Sequence, residues 1–150
     1  MSKVFQFKQP HKSTGFLLWQ VNNLWQREIN KVLKEFYLTH TQFVVLAGTY
    51  LLSLKNDNLM QIMIAEHLKI DPMTTSNVLR TLLKKGLIDR IEHETDTRAK
   101  IIKITKNGDE ILKKAIEKVK NFDKDFFNRI INKKAFKQEL VRLLDDQNDC

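Results

Sequence analysis

Between residues 72 and 85 the chain places Thr74, Asn77, Thr81 and Lys84 three or four positions apart, with Thr75, Arg80 and Lys85 beside them. On a helix that spacing gathers side chains onto one face. The chemistry offered is hydrogen bonding by small hydroxyl and amide groups near the start of the segment and fixed positive charge near its end. Hydroxyls and amides match the donors and acceptors of base edges, and lysine and arginine match phosphate. Taken alone, this is first of all the solvated side of an amphipathic helix, because Val78, Leu79, Leu82 and Leu83 form an apolar stripe. A hairpin pattern directly after it changes the weighting. Two β-rich runs, 87–91 and 101–105, are joined by a polar segment that carries Asp96, Arg98 and Lys100.

These side chains need particular elements to hold them. A short helix is expected over about 60–68, with Ile62, Ala65 and Leu68 inward. Ile70, Asp71 and Pro72 then make a turn in which Asp71 caps the next helix and Pro72 takes its first position, where no backbone donor is missed. Gly86 stands where a helix end favours a left-handed residue. Two short helices joined by a tight turn and followed by a hairpin are the parts of a winged helix-turn-helix. In that arrangement the second helix enters a major groove and the hairpin reaches the flanking backbone.

Around this unit lie longer helical stretches. Residues 13–36 carry Leu17, Val21, Leu24, Leu33 and Phe36 at helical spacing, and Thr39 with Gln42 forms a capping box that opens a helix through Leu54. Periodicity resumes at Asn107 and runs to Ile130; after a break at 132–134 a last helix holds Phe136, Leu140, Leu143 and Leu144. The expected fold is mostly α with a small β-hairpin wing. It is a single domain over 1–150, with a winged helix-turn-helix head at about 40–105 and helical arms at about 13–36 and 107–147. The arms carry more apolar side chains than a small head can cover, including Leu17, Val21, Phe122, Phe126, Phe136, Leu140 and Leu144. A recognition helix reads only a few base pairs, so two copies on a pseudopalindromic double-stranded site are expected, with those residues at the homodimer contact. Folding of the arms back onto one monomer's core is the alternative use of the same residues.

The segment 62–108 resembles the MarR (multiple antibiotic resistance regulator) family. Asp96, Thr97, Arg98 and Ala99, followed by Ile102, Ile104, Thr105 and Gly108, look like that family's wing signature. Lys84, Lys85 and Gly86 before Leu87, Ile88, Asp89 and Arg90 match its exit from the recognition helix. The resemblance implies a DNA-binding transcriptional regulator, usually a repressor, in which Arg98 reaches a minor groove or its phosphates and Asp96 steadies it. It also implies a small aromatic effector between the arms and the head, where Trp19, Asn23, His40, Phe43 and Tyr50 are the candidates by position; ordinary core packing accounts for the same aromatics. Redox-sensing members carry a reactive cysteine near the first helix, and the only cysteine here is Cys150.

Composition agrees with a polyanionic partner: 26 Lys and Arg face 18 Asp and Glu, a net charge of +8. No apolar run approaches the roughly 18 to 20 residues of a membrane span, and the first residues lack the core of a signal peptide, so no membrane association and a cytoplasmic location are expected. Gly15, Gly48, Gly86 and Gly108 are isolated, which leaves no phosphate-cradling loop. No Ser or Cys has an organised base beside it, so no catalytic residues and no enzyme activity are expected. His11, His40, His67 and His93 include no pair at ligand spacing, and neither metal nor cofactor is expected. Two other classes fit the same elements: a winged-helix protein-interaction module, and a small-molecule-binding protein, each without DNA readout.

Overall fold

The computed structural model describes residues 13–92, 94–96 and 99–145. Its elements run α1 (Thr14–Leu33), a 3-10 turn (Lys34–Phe36), α2 (His40–Ser53), α3 (Gln61–Leu68), α4 (Pro72–Lys84), β1 (Ile88–Glu92), β2 (Lys100–Ile104), α5 (Lys106–Phe126) and α6 (Lys133–Asp145). This is the mostly helical fold with a hairpin wing that the pattern called for. The expected first helix stops three residues early. Tyr37 takes a left-handed conformation with φ of 56° and its N–H returns to the Lys34 carbonyl, which reverses the chain before α2. A non-glycine residue in that region is uncommon, and nothing in its side chain announces it.

The caps explain where the helices begin. The Thr39 hydroxyl accepts from the Gln42 N–H and the Gln42 side-chain oxygen accepts from the Thr39 N–H, each at 3.2 Å, so two otherwise orphaned donors are satisfied reciprocally. Asn30 of α1 joins in by accepting from the His40 N–H at 2.8 Å, which ties α1 to the first turn of α2. At α4 the Asp71 carboxylate accepts from the Thr74 N–H at 2.8 Å. Hydrogen bonds from Thr74, its hydroxyl first and its N–H second, hold the Asp71 carboxyl below its ordinary pKa.

Strands β1 and β2 pair antiparallel, from Ile88 opposite Ile104 to Glu92 opposite Lys100. The hairpin is fastened at its base: Ile102 N–H donates to the Leu59 carbonyl at 2.8 Å, and Met60 bridges Ile101. Thr105 links the wing to the arm, since its hydroxyl accepts from the Gly108 N–H at 3.0 Å and donates to the Gly86 carbonyl at 2.7 Å. A side chain at Gly108 would run into the Leu87 carbonyl, so the start of α5 lies close on the exit from α4. The core of the head is built from Val45, Leu46, Ile64, Leu79, Leu82, Ile88 and Ile102, all fully buried, with Ile29 and Leu33 of α1 and Leu112 of α5 entering the same cluster.

At the far end the helix expected to reach Ile130 ends at Phe126. The Phe127 N–H bonds to the Asp123 carbonyl and the ring of Phe127 packs edge-on against Phe126 at 5.0 Å, which turns the chain toward α6. Helix α6 has no buried residue over its length.

Candidate nucleic-acid interface

Helices α3 and α4 are joined by a tight turn in which Lys69 adopts φ of 56° and the Ile70 N–H bonds to the Ala65 carbonyl. Helix α4 buries Thr75, Leu79 and Leu82 and turns the opposite side outward. Its exposed residues beyond the first turn's proline are Met73, Asn77, Arg80 and Lys84, spaced four, three and four apart, with Thr74, Ser76 and Thr81 half-buried along the edges. That is one stripe about 16 Å long on a helix rising 1.5 Å per residue.

The local hydrogen bonds decide what each side chain has left to offer. The Thr74 hydroxyl donates to Asp71 Oδ2 at 2.6 Å, and the Thr81 hydroxyl donates to the Asn77 carbonyl at 3.2 Å, so both are left as acceptors. Arg80 donates from one Nη to the Ser76 hydroxyl at 3.3 Å and leaves most of its donors facing solvent. Asn77 is exposed, with both amide donors and its carbonyl available on the stripe.

Two residues expected to touch DNA lie off this stripe. Thr75 is fully buried, and its hydroxyl donates to the Asp71 carbonyl at 3.0 Å; it faces the core, away from the outward stripe. Lys85 lies just past the helix, where its ammonium donates to the Tyr37 carbonyl and to Gln42 Oε1, the latter at 2.9 Å. It therefore clasps the end of α4 to the α1–α2 connection. Lys84 remains exposed on the stripe. Met73 and Ser76, absent from the residues expected on sequence, belong to this surface. The spacing of Met73 from Asn77 is the signal that finds it; an apolar residue type is what hides it.

In the wing, Asp96 accepts from the Ala99 N–H at 3.1 Å through its backbone carbonyl, and Lys100 pairs with Glu92 across the strands at 3.0 Å. Arg98, expected to be the wing's reaching cation, lies outside the described residues. Arg90 had no expected role. It lies in β1 opposite Ile102, and its Nε and one Nη are buried with no hydrogen-bond partner among the described residues.

The five residues expected to meet an effector do not converge. His40 and Phe43 are buried at the start of α2, and the indole of Trp25 meets the His40 ring edge-on at 4.6 Å while its Nε1–H donates to Asp123 Oδ1 at 2.9 Å. Burial pushes the His40 pKa below its ordinary value, with Asp123 pulling the other way. Trp19 and Asn23 instead are exposed on α1, and the Trp19 ring lies against Phe16. A helix turns about 100° per residue, so Trp19 and Trp25 leave α1 on different sides. Tyr50 is half-buried further along α2. Trp25 is the aromatic that reaches the junction.

The residues expected at a contact between copies are largely uncovered. Leu17, Val21, Phe136, Leu140 and Leu144 are exposed, and Phe122 and Phe126 are half-buried with their rings 5.7 Å apart. Among the described residues no group of His, Cys, Asp or Glu is assembled for a metal ion, and no helix is long and apolar enough to cross a membrane.

Known proteins share this fold. The ArnR1-like winged-helix domain matches residues 34–123. An uncharacterised HTH-type transcriptional regulator of Bacillus subtilis, YdcH, is 37% identical over 93% of this chain and 95% of its own length. Among solved structures, the Staphylococcus aureus MepR–DNA complex superposes with a TM-score of 0.78 at 23% identity, covering 92% of this chain and 98% of that one. A MarR-family regulator from Rhodococcus sp. RHA1 gives 0.76 at 22%, covering 91% and 94%.

Proposed function

This chain belongs to the ArnR1-like winged-helix domain family and has the fold of the MarR-family regulators, and from that premise we propose that it is a sequence-specific, double-stranded-DNA-binding transcriptional regulator acting as a homodimer. The observation that carries the reading is the stripe on α4. Its polar and cationic members face outward beside the hairpin, while the same helix is anchored by Leu79 and Leu82 in the core. The N-terminal part of the stripe suits base edges, and Arg80 and Lys84 suit phosphates. The net charge of +8 favours the same partner.

Two copies joined through α1, α5 and α6 would set their recognition helices about one DNA turn apart, roughly 34 to 36 Å, on half-sites about 10 base pairs apart. The exposed apolar faces of α1 and α6 support that assembly. We read the regulator as a repressor that blocks a promoter by occupying it. A small aromatic effector acts at the junction of arm and head, where Trp25, His40 and Phe43 gather; the protein carries out no catalysis of its own and works in the cytoplasm beside the chromosome. The test is selection of duplexes from a random pool by the purified protein, followed by anisotropy titration. Enrichment of a two-fold-related motif, bound far more tightly than scrambled duplex, is the expected result. Equal affinity for both, or no binding at moderate salt, overturns the reading.

A further inference from the structure

Met73 breaks the chemistry of the stripe it lies in. Asn77, Arg80 and Lys84 are polar or charged, whereas Met73, at the leading end beside Pro72, is a large apolar side chain that is 75% exposed. Its position is not a consequence of core packing, since the core side of this turn is taken by the buried Thr75. The hydroxyls nearby are also committed. The Thr74 hydroxyl donates its hydrogen bond to Asp71 and the Thr81 hydroxyl donates to the Asn77 carbonyl, so each faces a base as an acceptor. Donors left toward the start of α4 are the Ser76 hydroxyl and the Asn77 amide. Beside these few hydrogen-bonding groups, Met73 gives the leading end of the stripe an apolar contact to offer.

The major groove offers one apolar group at the base edges, the C5-methyl of thymine. We propose that Met73 is a specificity-determining residue that packs its flexible thioether side chain against a thymine methyl within each half-site. The proposal rests on the DNA-binding function and deepens it: it states which base feature the leading end of α4 selects. A thioether on an unbranched stem adapts to such a contact without a fixed rotamer.

The experiment uses a duplex selected from a random pool by the wild-type protein, in which each thymine is replaced singly by deoxyuridine, removing only the methyl group. Wild type is expected to lose about fourfold in affinity at one thymine per half-site, the worth of one methyl-sized apolar contact. Met73→Ala should bind the parent duplex more weakly by a similar factor and show no further loss at that thymine. Its response at every other thymine should match wild type, and Met73→Leu should recover part of the discrimination. Melting curves are expected to be unchanged, because the side chain is exposed. A Met73→Ala profile identical to wild type, or a wild-type profile flat at every thymine, overturns the proposal while leaving DNA binding intact. Failure of the wild type to enrich any motif overturns the DNA-binding function itself.

Discussion

The head and the outer faces of the arms use apolar residues in opposite ways. Leu79, Leu82, Ile64 and Ile88 are sealed inside the head, whereas Leu17 and Val21 of α1 and Leu140 and Leu144 of α6 face outward. The head is complete as one chain. The arms hold apolar area that a monomer leaves in water, which burial against a second copy would recover at about 25 cal/mol per Å². The contrast separates residues that build the fold from apolar residues that the fold leaves uncovered.

Paired substitutions set the two regions against each other. Leu140→Asp is expected to shift the protein toward monomer in sedimentation and to weaken operator binding by roughly 100-fold or more, the advantage forfeited when two linked half-sites are reduced to one. The head should keep its helical spectrum. Leu82→Ala should do the reverse, costing about 2 to 5 kcal/mol of unfolding free energy for a fully buried leucine while dimerisation of the folded fraction persists. Dimer loss in both variants, or in neither, breaks the division between head and arms.

A smaller effect distinguishes two adjacent lysines. Lys84→Met should flatten the plot of log K against log[salt] by about 0.9 for each phosphate left without its cation. Lys85→Met should leave that slope unchanged and lower affinity by about fivefold or less, because both of its hydrogen bonds are made at the exposed surface and their loss only loosens the fit between α4 and the α1–α2 connection. Equal slope changes in the two variants would return Lys85 to the phosphate-binding group.

The smallest effect concerns the junction between the regions. His40 has a folded pKa lowered by burial, so the unfolded chain binds the proton more readily. Stability is then full above about pH 6.5, the usual imidazole value, and declines as pH falls through that value toward the lowered one. Melting temperatures measured across this range should fall on acidification, and His40→Gln should flatten the dependence. A variant that tracks wild type at every pH would remove His40 as the source.

Local chemistry was legible where a cap or a period decides the structure. The Thr39 and Gln42 box, Asp71 with Pro72, and Gly86 after α4 all do in the fold what their residue types favour. Tyr37 was not legible, because its left-handed backbone is imposed by the turn between α1 and α2. The face of α4 was legible at Asn77, Arg80 and Lys84, but adjacent positions lie about 100° apart, and Thr75 falls on the buried side. Lys85 escaped because its partners Tyr37 and Gln42 are 48 and 43 positions away in the chain. Trp19 and Asn23 lie exposed on α1, apart from His40 and Phe43, for a related reason: proximity to a junction in sequence does not say which side of α1 faces it.

The central claim, that two copies of this chain read one DNA site together, is tested most directly by sedimentation of the wild-type protein mixed with a duplex it has selected. The expected complex holds two chains per duplex, forms at far lower protein concentration than on scrambled duplex of the same length, and resolves as a dimer after the DNA is digested away. One chain per duplex, or identical complexes on selected and scrambled DNA, would contradict it.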